Sequence, residues 1–211
     1  MRMFSLKKKD SVTNSPINGA TFKLSGTSDY GTEYCLYAES NIIGRVAFND
    51  IELGTYELKE VKTPEGYIKS NDVYTIEIDE RGKVTFYSKN EEMTKNTQNY
   101  YQITNEPYHS IRFLKSSTYG NDIYLEGAEF SLIGISDYGT NVNMTAISGK
   151  AEDGGIVVFQ FLEPGTYTLK ETKAPDGYYV DPKSYSVVVQ KSGAFEIKGL
   201  SKQVVGPTTR Q

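Results

Sequence analysis

A long segment of this 211-residue chain is written twice. Gly54-Thr55-Tyr56-Glu57-Leu58-Lys59-Glu60-Val61-Lys62-Thr63-Pro64-Glu65-Gly66-Tyr67 returns 111 residues later as Gly165-Thr166-Tyr167-Thr168-Leu169-Lys170-Glu171-Thr172-Lys173-Ala174-Pro175-Asp176-Gly177-Tyr178. Upstream, Gly19-Ala20-Thr21-Phe22-Lys23-Leu24 and Ser28-Asp29-Tyr30-Gly31-Thr32 return 108 residues later as Gly127-Ala128-Glu129-Phe130-Ser131-Leu132 and Ser136-Asp137-Tyr138-Gly139-Thr140. The three added residues fall between Ala146 and Gly155, in a polar stretch of the kind that tolerates insertion as a surface loop. A repeat of about 110 residues is the size of a domain and far longer than a solenoid unit. The sequence therefore predicts two homologous domains, 1–107 and 108–211, meeting around Pro107-Tyr108-His109-Ser110.

Within each copy, apolar residues alternate with polar ones over short runs. In the first these are Phe4-Leu6-Lys8, Ala20-Phe22-Leu24, Val46-Phe48, Tyr56-Leu58-Glu60, Tyr74-Ile76-Ile78, Val84-Phe86 and Tyr101-Ile103-Asn105. Turn signals such as Asn49-Asp50, Pro64-Glu65-Gly66 and Arg81-Gly82 separate them. About seven strands per copy at this spacing predict an all-β fold of two tandem Ig-like β-sandwiches. The 17 Tyr and 9 Phe, with many Val, Ile and Thr, suit strands, and helical periodicity is hinted at only over Asn90–Thr97.

Composition narrows the function. A net charge of −4 offers no basic field for nucleic acid or an anionic membrane, and Lys7-Lys8-Lys9 is too short for a binding patch. No run of 18 apolar residues and no signal-peptide apolar region is present. A secreted protein stripped of its signal and anchor reads the same way, so this does not fix a compartment. One cysteine, Cys35, excludes an intrachain disulfide and a Cys-rich zinc site, and one histidine, His109, leaves little for a His-based metal centre. No metal and no cofactor are expected.

Three inward stripes end in a polar group. Residues i, i+2 and i+4 of a strand share a face, so Lys8 follows Phe4 and Leu6, Glu60 follows Tyr56 and Leu58, and Asn105 follows Tyr101 and Ile103. An amine, a carboxyl and a carboxamide are thus expected on the inward face. One outcome is a buried Lys8–Glu60 ion pair with Asn105 as a hydrogen-bond partner, or simple exposure at wet strand ends. The other is covalent. Burial favours a neutral amine beside a protonated carboxyl, and such an amine can attack the Asn105 carboxamide while Glu60 polarises its oxygen and carries protons, releasing ammonia.

The segment Tyr56-x-Leu58-x-Glu60 with Pro64-x-Gly66-Tyr67, its repeat over Tyr167–Tyr178, the Gly-Ala-x-Phe-x-Leu strands and Asn105-Glu106-Pro107 resemble the collagen-adhesin B-type (Cna-B) domains of Gram-positive surface proteins and pilins. The resemblance implies a prealbumin-like β-sandwich, extracellular display on a cell wall through a parent chain, and a Lys8–Asn105 isopeptide bond assisted by Glu60. The implied partners are neighbouring domains or pilin subunits and a host matrix protein or glycan.

The second copy departs from the pattern. Lys115 follows Ile111 and Phe113, and Glu171 follows Tyr167 and Leu169, but no Asn occurs after Asn143. Val205 stands where Asn-x-Pro needs Asn, and Gln203 is the nearest amide. Either the bond was lost, or the last strand lies outside this chain, or another chain supplies it; the reading favours no self-made bond there. Of the remaining residues, Cys35 reads as a packed free thiol rather than part of a thioester, and His109 as a solvated linker residue. Val180-Asp181-Pro182-Lys183 reads as a loop rather than a sortase-joined lysine motif, and Gly206-Pro207-Thr208 lacks the rest of a sortase signal. The functional expectation is a structural stalk, pilin or adhesin module with no turnover. A carbohydrate- or protein-binding module is the alternative, and an enzyme ranks third.

Overall fold

The structure is a computed structural model that describes residues 2–117, 123–150 and 154–200. The chain falls into two compact units, Met1–Pro107 and Tyr108–Gln211. The first holds β1 (Arg2–Asp10), β2 (Thr21–Thr27), β3 (Glu33–Glu39), β4 (Arg45–Ile51), β5 (Gly54–Lys62), β6 (Val73–Ile78), β7 (Val84–Ser88), β8 (Glu91–Glu92) and β9 (Tyr101–Asn105). The second holds β10 (His109–Leu114), β11 (Glu129–Ser136), β12 (Asn141–Ile147), β13 (Ile156–Leu162), β14 (Gly165–Lys173), β15 (Ser184–Val189) and β16 (Phe195–Lys198). The fold class is all-β, with no helix among the described residues.

The helical hint over Asn90–Thr97 is overturned. Glu91 and Glu92 pair with β7, and the Asn96 side chain accepts from the backbone N–H groups of Gln98 and Tyr100 at 3.0 and 2.9 Å. An Asn that binds the backbone ahead of it stabilises a turn in preference to a helix.

In the first unit a three-stranded sheet, β4-β1-β9, faces a six-stranded sheet, β3-β2-β5-β6-β7-β8. Alternation is strict on the strands that meet: Phe4, Leu6, Lys8 and Asp10 of β1 are buried, as are Tyr56, Leu58 and Glu60 of β5 and Tyr101, Ile103 and Asn105 of β9. Leu6, Phe22, Leu24, Val46, Leu58, Ile76 and Phe86 form the water-free centre, each side chain contributing about 1.5–3 kcal/mol on burial. The first and last strands of the unit lie side by side and parallel, Lys8 opposite Ile103 and Asp10 opposite Asn105.

The second unit repeats the plan with a five-stranded sheet, β12-β11-β14-β15-β16, and a two-stranded one, β10-β13. Local devices repeat as well. The Tyr56 hydroxyl donates to the Glu52 carbonyl at 2.9 Å and the Tyr167 hydroxyl to the Glu163 carbonyl at 2.7 Å. The Ser40 and Ser148 hydroxyls each accept from the N–H of Ala20 and Ala128 at 2.9 Å.

One glycine fixes the path of β1. The Gly44 carbonyl accepts the Lys8 N–H at 2.7 Å, Gly44 has φ +71°, and a Cβ there meets the Lys8 carbonyl oxygen at 2.3 Å. Gly31, with φ +87°, has nothing within 4 Å of such a Cβ. Gly31→Ala should therefore lower the stability of the first unit by about 1–2 kcal/mol, the left-handed backbone cost alone, and Gly44→Ala by about 3 kcal/mol or more. Equal losses in denaturant titrations contradict this account of the β1 path.

Candidate functional site: a buried amine, carboxyl and amide

Lys8, Glu60 and Asn105 converge from three strands. Lys8 and Asn105 project inward from the neighbouring strands β1 and β9, and Glu60 projects toward them from β5 of the facing sheet, next to Phe22 in the β2–β5 ladder. Lys8 is 0% exposed, Asn105 2% and Glu60 7%. The Lys8 Nζ donates to Asn105 Oδ1 at 2.6 Å and lies 3.1 Å from Glu60 Oε2. The Asn105 Nδ2 donates to Glu60 Oε1 at 2.8 Å, closing the triangle. The Phe22 ring lies under the amine, its centroid 5.7 Å away.

The triangle is dry. Burial pushes the Lys8 amine below its ordinary value, against the opposing pull of the Glu60 charge and hydrogen bond. Burial also holds the nearby Tyr74 phenol protonated, raised to about 12. Glu60 touches the amide nitrogen rather than the amide oxygen on which the sequence reading placed it.

Some supporting residues escaped that reading. Asp10 is the next inward position of β1. Its Oδ1 accepts from the N–H groups of Val12 and Thr13 at 2.7 and 2.8 Å, and its Oδ2 from the Tyr67 hydroxyl at 3.1 Å. The N–H of Ile68 donates to the Glu106 carbonyl at 2.8 Å, and that of Ser11 to the Asn105 carbonyl at 2.9 Å. These bonds tie the β5–β6 loop and the end of β1 to the end of β9, fixing the amide against the amine. The signals were present: Asp10 continues the alternation past Lys8, and Tyr67 closes the Pro-x-Gly-Tyr turn.

In the second unit Lys115 Nζ lies 2.9 Å from Glu171 Oε1. The lysine side chain keeps 20% of its exposure while that of Glu171 keeps 1%. The other Glu171 oxygen accepts from the backbone N–H of Asp181 at 2.7 Å, where Glu60 in the first unit accepts from Asn105. The Tyr185 hydroxyl, donating to Asp181 at 2.5 Å, holds that carboxyl below its ordinary value. Gln203 and Val205 lie outside the described residues.

Two expectations are corrected. Cys35 is exposed, because it lies on the outward face of β3, alternating with Tyr34 and Ala38, which pack against the core. His109 is buried at 8% exposure, opposite Leu162: it begins the inward stripe His109-Ile111 of β10 and is no linker residue. Lys183 sits in an exposed loop whose turn is closed by its N–H donating to Asp181 Oδ1 at 2.9 Å.

The family described as SpaA, prealbumin-like fold domain, matches residues 2–92 and again 109–203. Among solved structures, the shaft pilin SpaA from Lactobacillus rhamnosus GG is 14% identical over 88% of this chain and 92% of that one, with a TM-score of 0.46. A streptococcal ancillary pilin is 21% identical over 89% of this chain, TM-score 0.39, and the Bacillus anthracis TIE protein 19% identical over 91%, TM-score 0.37. This chain spans 58% and 32% of the lengths of those last two. A search of curated proteins finds no match.

The depressed Lys8 gives a pH signature wherever the amine stays free, as in Asn105→Ala. The unfolded chain then binds the proton that the folded chain resists, so stability rises with pH from the depressed folded value toward the ordinary 10.5. Tyr56, Tyr67 and Tyr74, raised to about 12, act in the opposite direction above pH 10.0. The urea midpoint of the Asn105→Ala first unit should climb as the pH is raised across the alkaline interval below about pH 10. A falling midpoint over that interval contradicts the desolvated amine.

Proposed function

Since the chain belongs to the family of SpaA prealbumin-like fold domains, we propose that it is an extracellular structural module of a Gram-positive surface protein, a stalk, pilin or adhesin segment. Its first domain is closed by a self-made amide between Lys8 and Asn105. The observation that carries this reading is the triangle itself: amine, carboxyl and carboxamide linked by contacts of 2.6–3.1 Å in a buried site.

The chemistry needs only these groups. In the charged pair, the Asn105 oxygen accepts from Lys8 and Glu60 accepts from the amide nitrogen. A proton passing from Lys8 to Glu60 neutralises both, which the dry surroundings favour. Half a turn of the amide about Cβ–Cγ then presents its oxygen to the new carboxylic O–H, which polarises the carbonyl and leaves the amine lone pair to attack Cγ. As the Nζ–Cγ bond forms, Glu60 takes a proton from Nζ and delivers one to Nδ2. The Cγ–Nδ2 bond breaks and ammonia leaves. One amine and one carboxamide give one secondary amide and one ammonia, with no redox change. Folding supplies the proximity, worth roughly 7–11 kcal/mol in well-oriented intramolecular reactions.

The product ties the first strand of the domain to its last across a sequence separation of 97 residues. Force entering through β1 and leaving through β9 then passes along a covalent path instead of through the core. The second domain holds Lys115 and Glu171 as an ion pair, with the backbone of Asp181 in the place of the acceptor amide, and forms no bond of its own.

Intact-mass measurement tests the chemistry. The native chain should weigh one ammonia less than its sequence, and Lys8→Ala, Glu60→Ala and Asn105→Ala chains should each keep their full sequence masses. A native chain at full mass, or a loss that persists in Asn105→Ala, contradicts the bond; a second loss contradicts the assignment for the second domain. Asn105→Ala should also unfold its first domain about 4–5 kcal/mol more easily through lost loop closure, read as a lower melting temperature and faster proteolysis.

A further inference from the structure

Strand β12 pairs with β11 and with no other strand of the described residues. The Ser148 N–H donates to the Ala128 carbonyl at 2.8 Å and the Ala128 N–H to the Ser148 hydroxyl at 2.9 Å, so this pair sets the phase of the β11–β12 ladder. Alternation from that pair turns the N–H and C=O groups of Asn141, Asn143, Thr145 and Ile147 away from β11, along the open edge of the sheet. Open edges are ordinarily guarded by charges, prolines or bulges. The sequence of β12, Asn-Val-Asn-Met-Thr-Ala-Ile, carries none of these residues, and its register with β11 is unbroken.

The other half of the same chain supplies the comparison. Strand β3 occupies the same edge of the first domain and reads Glu-Tyr-Cys-Leu-Tyr-Ala-Glu. A two-fold pairing of β3 with itself sets Glu33 against Glu39 of a second copy at both ends, like charges directly opposite. The residues at those positions of β12 are Asn141 and Ile147. On the next strand inward Lys23 of β2 is replaced by Ser131 of β11, and Ser25 and Thr27 by Ile133 and Ile135, which stand 50% and 62% exposed opposite Asn143 and Asn141, while Thr21 is replaced by Glu129 opposite Ile147.

We propose that β12 is a self-association edge, pairing antiparallel with β12 of a second copy of this chain to continue the five-stranded sheet across a two-fold axis at Met144. In that register Asn143 faces Thr145 of the second copy and Asn141 faces its Ile147, so every outward N–H meets an outward C=O. The occupant is a second copy because the edge complements itself in this register, and because a chain of net charge −4 meets its own kind at least cost along an edge strand that carries no charge. A single strand pair covers less than the roughly 1,200 Å² of a standard interface, so the dimer is weak and reversible.

Sedimentation equilibrium of the full chain under reducing conditions, from about 10 μM to about 1 mM, tests this. The mass should rise with concentration toward twice that of the monomer. Asn143→Lys, which sets like charges across the axis, should weaken the dimer at least tenfold, and so should Asn143→Pro, which removes an N–H that β11 does not use. The melting temperature of the second unit should stay unchanged in Asn143→Lys. Cys35→Lys on β3 should leave the dimer intact. A chain that stays monomeric throughout, a dimer that survives Asn143→Lys, or one that Cys35→Lys abolishes overturns the proposal. So does a chain that ignores its own copies yet takes up an unrelated extended peptide along β12.

Discussion

The first domain is organised around an amine held without water. An unpaired ammonium inside a protein costs several kcal/mol even after relaxation, so a sandwich that carries Lys8 on an inward stripe must bring partners such as Glu60 and Asn105 to it. Both arrive on the last inward position of their stripes, one from each sheet. Phe22 closes the site from below, and the Asp10–Tyr67 bond and the turn at Gly44 close it around the ends of β1 and β9. Polar burial that weakens an ordinary core becomes useful where the three groups can exchange a proton and react.

The second domain shows which part of this arrangement is fold and which is chemistry. It keeps the stripes, the facing Lys115 and Glu171, an aromatic ring near the amine in Phe130, and the tyrosine bonds at the sheet end. It does not keep a carboxamide among the described residues at the pair, and the carboxylate turns to the Asp181 backbone. Its lysine is correspondingly wetter than Lys8. Its edge strand has changed too, from Glu33 and Glu39 at the ends of β3 to uncharged residues on β12. The two copies share a scaffold and differ in the residues at the buried lysine and along the outer strand.

Most of the fold was legible in the sequence because two-residue alternation and an internal repeat are strong signals. Phe4-Leu6-Lys8, Tyr56-Leu58-Glu60 and Tyr101-Ile103-Asn105 each named both a strand and its buried face. What escaped depends on tertiary position. Cys35 lies on the outward face of β3, opposite to Tyr34 and Ala38, and a run such as Tyr34-Cys35-Leu36-Tyr37 does not say which of its faces is inward. His109 borders the domain boundary and so resembles a junction residue, although it opens the buried stripe of β10. The stretch Asn90–Thr97 failed because a side-chain-to-backbone bond at Asn96 competes with helix formation. The contact of Glu60 with the amide nitrogen was out of reach of a pattern that places side chains on faces without orienting their atoms.

The direct test of the central claim is fragmentation of the digested native chain by tandem mass spectrometry. The account predicts one branched peptide in which the Lys8 side chain is joined through an amide to the side chain of Asn105, and no branched peptide containing Lys115. Recovery of the Lys8 and Asn105 peptides as separate linear species, each at its full sequence mass, contradicts it.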